Sequence, residues 1–207
     1  MLFSFKKIIA VALLVLQSAV CLAADGKNII LLVPDGCGVS HQTLARWFKG
    51  APLASDKLNS GLCITHSGNS MITGSAAAAT AFATGHKTWE QEGGVKCVGI
   101  LPDSLVFPQP RKLPPQQQWR PVATVLEAAR VCGKSTGIVA TARVSHATPA
   151  AFSSHWHERD NENVIIKQQV YQNIDVVFGG GMSHLLPDSL PQGKRSDGEN
   201  LQDVLSS

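Results

Sequence analysis

In the stretch ITGSAAAATAFATGHKT, residues 72–88, one hydroxyl, that of Ser75, heads a run of alanines. Gly74 allows a tight turn before it and Ala76 to Ala79 are strong helix formers, which puts the serine in the first turn of a helix. There the unpaired amides and the positive end of the helix dipole favour an oxyanion, either a serine alkoxide or a bound phosphate. The competing role is a plain helix cap, the commoner use of a serine at such a place. A serine nucleophile needs a base or a metal to lose its proton. The GxSxG pattern of the Ser-His-Asp route is not met by TGSAA, so metal activation is the route to test, and it requires carboxylates or imidazoles at strand ends.

Such a carboxylate stands in LLVPDGCGVSH, where Asp35 leaves an apolar run and Gly36 and Gly38 permit a sharp exit. Ligands of open parallel sheets gather at the carboxyl ends of strands, although an Asp-Gly pair is also an ordinary turn. The segment ARVSHATPAAF brings His146 and Thr148 to the same edge, and two residues apart in extended chain they point the same way. By default such a histidine is structural. Arg159 could offer a bidentate fork to phosphate, or be solvated within HERDNEN. His155 and His157 are expected at the surface. The CGKST run at 132–136 mimics the end of a phosphate-binding loop, but its first glycine is replaced by Ala128 and the segment before it reads as helix.

The elements that must position these groups alternate. Strands are expected at Asn28–Val33, Gly61–His66, Gly137–Thr141 and Ile174–Phe178, and helices at His41–Lys49, Ser75–Thr84, Val122–Val131 and Asn161–Gln172. NIILLV is apolar on every side, as a strand buried on both faces must be. This is an α/β pattern, a largely parallel sheet sandwiched between helices. Between Pro102 and Pro121, six prolines and three consecutive glutamines predict a surface loop without ladder or helix. Leu201, Val204 and Leu205 form the apolar stripe of a last helix expected to pack.

Composition bounds the rest. With 44% hydrophobic and 16% charged residues in 207, one packed domain is expected. Lys6 and Lys7, the apolar run Ile8–Leu16 and the small Ala23 and Ala24 have the layout of a secretory signal over residues 1–23, which predicts a periplasmic or secreted domain at 24–207. The apolar run is short for a membrane anchor. Without Lys6 and Lys7 the net charge of +3 falls to +1, which leaves no basic field for nucleic acid. Cys37, Cys63, Cys97 and Cys132 remain, with three possible pairings and no CxxC spacing.

Taken together, KNIILLVPDGCG, ITGSAAAATAFATGHKT and GKSTGIVATARVSHATPAAFSSHWHER resemble, in order and spacing over most of residues 27–181, the alkaline phosphatases. The resemblance implies that Ser75 is the nucleophile that becomes phosphorylated. It further implies that Asp35 bridges a zinc and a magnesium, that Thr148 holds magnesium with His146 nearby, and that Arg159 clamps the phosphate. The implied substrates are small phosphate monoesters, and a homodimer is implied where the full fold is present. TGSAAAATA fits the monoesterase serine segment, and a sulfatase-type cysteine motif is lacking there, which disfavours the related diesterases and sulfatases.

Two positions depart from the family. Many members have aspartate where this chain has Gly74, steadying the arginine, and some have aspartate at His146. Most zinc ligands and the magnesium-site glutamate belong to a later half of a longer chain, whereas past Arg159 this sequence offers His184 as its one histidine. The expectation is therefore an N-terminal, incomplete form of the fold. Its activity is either metal-dependent monoester hydrolysis or, as the alternative, a non-catalytic remnant that binds phosphate or metal.

Overall fold

The computed structural model describes residues 28–58, 61–90, 96–106 and 109–206. The signal segment lies outside them. The chain divides into two units at Pro34 and Asp35. In the first, Asn28–Val33 is not a strand: it has no ladder partner among the described residues, and Ile29, Ile30 and Leu32 are exposed. An apolar run supplies the side chains for a buried strand, but a strand exists only where another chain segment takes its amides and carbonyls.

The second unit begins with helix α1, Val39–Lys49, closed by Gly50 at φ +64°. Its Leu44, Trp47 and Phe48 are exposed. A single 3₁₀ turn follows at Ala54–Lys57, where Asp56 accepts from Arg46 of α1. Gly61–His66, expected as a strand, is irregular and exposed up to Thr65; the Lys87 ammonium takes the Ile64 and His66 carbonyls that a ladder would have used.

Helix α2 covers Ser75–Thr84, with the bounds the sequence predicts, because Gly74 starts it in extended backbone and Gly85 ends it at φ +73°. The proline-rich stretch contains a short antiparallel ladder, β1 Ser104–Leu105 against β2 Arg111–Lys112, contrary to expectation. Two residues per strand can pair between prolines without asking a proline for an N–H. Helix α3, Val125–Val131, starts three residues later than predicted because Thr124 caps it: its hydroxyl accepts from Glu127 N–H at 3.1 Å while its own N–H donates to the Glu127 carboxylate at 2.8 Å.

Strand β3, Gly137–Arg143, then leads through helices α4, Ala147–Ser153, and α5, Glu162–Tyr171, to strand β4, Val176–Gly180, which pairs with it in parallel from Gly137 opposite Val176. The expected sheet covered on both faces is thus a two-stranded parallel pair among the described residues, with Val139 75% and Phe178 66% exposed. Helix α6, Leu201–Ser206, buries Leu201, while Val204 and Leu205 are exposed.

The main core is helical. Ala76 and Ala79 of α2 meet Ala147, Ala150 and Ala151 of α4, joined by Val98 and Ile165 and flanked by Trp156. Methyl groups let the two backbones approach closely, and every one of these alanines is at most 2% exposed. A smaller cluster joins Val144, Ile166 and Leu201. No helix among the described residues is long and apolar enough to cross a membrane.

Candidate active site

Three segments far apart in sequence converge on one carboxylate. Asp35 sits in a turn completed by Gly36 at φ +71°, a left-handed conformation that glycine adopts without strain. Its Oδ2 accepts from Thr148 Oγ1 at 2.9 Å, and its Oδ1 accepts a longer bond from Ser75 Oγ at 3.4 Å. Ser75 is the first residue of α2 and Thr148 the second of α4, so the alanine contact between these helices brings both hydroxyls to Asp35.

A second pair involves Arg159 and His146. Arg159 Nη2 donates to His146 Nε2 at 2.9 Å, which needs a neutral imidazole with that nitrogen as acceptor. Burial, and then the positive charges of Arg159 and Arg143, hold the His146 pKa below the ordinary histidine value, in agreement with that bond. The Arg159 backbone is fixed by donation to the Lys96 carbonyl at 3.0 Å. The expectation that His146 and Thr148 point the same way from extended chain is corrected here. His146 is the extended cap of α4 and Thr148 lies inside its first turn, so the imidazole meets Arg159 and the hydroxyl meets Asp35.

His155 also differs from expectation. Its ring is mostly buried, with Nδ1 2.6 Å from the Gly99 carbonyl and Nε2 2.8 Å from Glu127, whereas His157 is exposed. Cys37 and Cys63 are exposed free thiols and Cys97 is a buried one.

Glu90 has no motif to mark it, yet its carboxylate lies against Gly74, the residue before Ser75. In the polar run HKTWEQEGG nothing distinguishes this glutamate from a solvated one.

Asp35 and Thr148 offer oxygen donors, the set that magnesium prefers. For zinc the fit is partial, with Asp35 and Ser75 oxygens but no imidazole hydrogen-bonded to either among the described residues. No group of three or more His, Cys, Asp or Glu side chains gathers as a metal cage among those residues.

The family model described as Alkaline phosphatase matches residues 26–207. The chain belongs to the alkaline phosphatase family. The alkaline phosphatase of Schizosaccharomyces pombe is 35% identical over 187 residues, covering 84% of this chain and 31% of that protein. The alkaline phosphatase of the Antarctic bacterium TAB5 superposes with a TM-score of 0.65 at 28% identity, covering 83% of this chain and 43% of that one. A TAB5 variant with aspartate in place of a histidine, described with magnesium bound, superposes at 0.63 with 26% identity, over 83% of this chain and 42% of that one. The chain spans about a third of the length of the first curated alkaline phosphatases it matches. Its fold is thus alkaline phosphatase-like and mixed α/β with small sheets, incomplete relative to the full fold. Alkaline phosphatases generally use zinc and magnesium and act on phosphate monoesters.

Proposed function

We propose that this chain carries the nucleophile side of an alkaline phosphatase-type phosphomonoesterase centre, with Ser75 forming a phosphoserine from small phosphate monoesters outside the cytoplasm. The observation that carries the reading is the Asp35 carboxylate accepting from both the Ser75 and Thr148 hydroxyls.

Asp35 orients Ser75 Oγ by accepting its proton-bearing bond, and the start of α2 supplies unpaired amides for negative charge on the transferring group. The Ser75 hydroxyl gives its proton to water as its oxygen bonds to phosphorus, the ester P–O bond breaks, and the leaving oxygen takes a proton from water to become an alcohol; a further water then cleaves the phosphoserine, restoring the serine hydroxyl and freeing phosphate. Arg159, held by His146 through one Nη2 bond, keeps further N–H groups for the non-bridging oxygens. Asp35 and Thr148 would hold magnesium, and Asp35 and Ser75 would supply oxygens to zinc. Divalent ions, when held by these oxygens, would lower the pKa of the serine hydroxyl and offset charge on the leaving oxygen. The signal layout at 1–23 supports the extracytoplasmic placing.

The test is hydrolysis of a chromogenic phosphate monoester at alkaline pH with zinc and magnesium supplied. Turnover is expected to fall on the order of a thousandfold or more in Ser75→Ala. Turnover that survives Ser75→Ala defeats the reading. The second reading, a non-catalytic phosphate or metal binder, is favoured by the donor set at Ser75, in which Asp35 is the one carboxylate hydrogen-bonded to the serine among the described residues. Absence of zinc binding in a calorimetric titration would favour the second reading, because the first requires zinc to bind.

A further inference from the structure

Glu90 occupies a place where charge matters. A methyl group added at Gly74 would lie 2.7 Å from Glu90 Oε2, so the carboxylate fills the space that a side chain at position 74 would use. Gly74 itself is in ordinary extended backbone, φ −100° and ψ 179°. Its lack of a side chain is therefore what admits the carboxylate.

The tripeptide ending in Glu90 is pinned on both sides. Thr88 O accepts from Gly68 N–H at 2.8 Å, the Trp89 indole donates to Ser104 O at 2.8 Å, and Glu90 N–H donates to Asn69 Oδ1 at 2.8 Å. Trp89 also meets Trp119 edge-on, with ring centroids 5.5 Å apart. Despite this support, Glu90 Oε2 is buried and no described residue donates a hydrogen bond to it. No described lysine or arginine forms an ion pair with Glu90 either.

Set against Gly74 at the start of α2, a carboxylate with no ion-pair partner among the described residues faces the positive end of that helix and disfavours an anion bound there. We infer that Glu90 limits how tightly the site holds phosphate and so favours its release as product. The inference rests on the phosphatase reading above, since it takes phosphate to bind at Ser75 and Arg159.

The experiment is a titration of the full chain with inorganic phosphate in magnesium buffer, followed by calorimetry, for the wild type, Glu90→Gln, Gly74→Ala and Arg159→Ala. Replacing the carboxylate against Gly74 with a neutral amide should tighten phosphate binding roughly three- to tenfold in Glu90→Gln. Gly74→Ala displaces the same carboxylate without neutralising it and should shift affinity in the same direction by less. Local damage would weaken binding, so a gain in affinity is not a folding artefact. Unchanged or weaker binding in a Glu90→Gln protein that melts like the wild type overturns the inference, while binding that still depends on Arg159 leaves the phosphatase reading intact. If Glu90→Gln does not fold, Gly74→Ala decides, with tighter binding supporting the inference and unchanged binding overturning it. Absence of phosphate binding in all four proteins overturns both.

Discussion

The contact between α2 and α4 and the β3–β4 pair are built from similarly small or branched apolar residues, yet one is sealed and the other open. Ala76, Ala147, Ala150 and Ala151 have no exposed surface, while Val139, Val177 and Phe178 face outward. The two hydroxyls that bond to Asp35 belong to this helix pair, since Ser75 and Thr148 begin the two helices that the alanines press together. The difference teaches that positioning at the site comes from helix packing within this chain, whereas the sheet contributes connection more than burial.

The largest effect that could break this contrast is a packing change. Ala150→Leu inserts three carbons between α2 and α4 and should cost about 3 kcal/mol, whereas Val139→Thr on the open strand should stay within about 0.5 kcal/mol. Urea unfolding of both variants reads the difference, and equal losses would show that the sheet face is buried in solution. A smaller contrast concerns caps. Thr124 is buried, accepts from Glu127 N–H and donates to the Phe152 carbonyl at 2.9 Å, so Thr124→Val should cost about 1–2 kcal/mol. Thr43→Val on exposed α1, where the hydroxyl only bonds back to Val39 O, should be close to neutral in the same assay.

The thiols sharpen the comparison further. Burial pushes Cys97 up to about 11 from the ordinary 9.0, so at pH 8 a thiol reagent should label Cys37 and Cys63 and spare Cys97 until the protein is unfolded. The raised pKa means that the folded state keeps a proton the unfolded state gives up. The associated stability is present below pH 9 and is lost as pH rises towards 11, so melting temperature should fall over that window and fall less in Cys97→Ala. The smallest effect is on the open side. Hydrogen bonding from Arg46 lowers Asp56 to about 2, so its carboxylate should remain ionised at pH 3 by NMR titration and return towards 3.8 in Arg46→Gln. The sign is opposite to that of Cys97, with a contribution present above pH 3.8 and lost as pH falls through about 2. The pair is exposed, so little change in melting should accompany it.

How much of this was legible in the sequence depends on whether the determinant is local. Helix α2 could be bounded from Gly74 and Gly85, and the β3–β4 crossover from the spacing of apolar runs, because backbone freedom and periodicity act over a few residues. Asn28–Val33 and Gly61–His66 have strand composition without ladders, since pairing requires a second segment that composition does not name. At the site, the contacts of Asp35 span 40 residues to Ser75 and 113 to Thr148, and only the family resemblance brought these three together in advance. His155 reads as a surface group in the sequence because its partners, Gly99 O and Glu127, come from distant segments. Glu90 carries no mark in the sequence for the same reason: its place against Gly74 is a property of the folded loop.

Alanine has no side-chain rotamers to exchange between. The separation of the two helix starts is therefore set by backbone against backbone, and warming cannot loosen it by the gradual side-chain hopping that softens leucine-rich seams. The gap between the Ser75 and Thr148 oxygens should hold nearly constant with temperature and then fail all at once, when the helix pair itself comes apart.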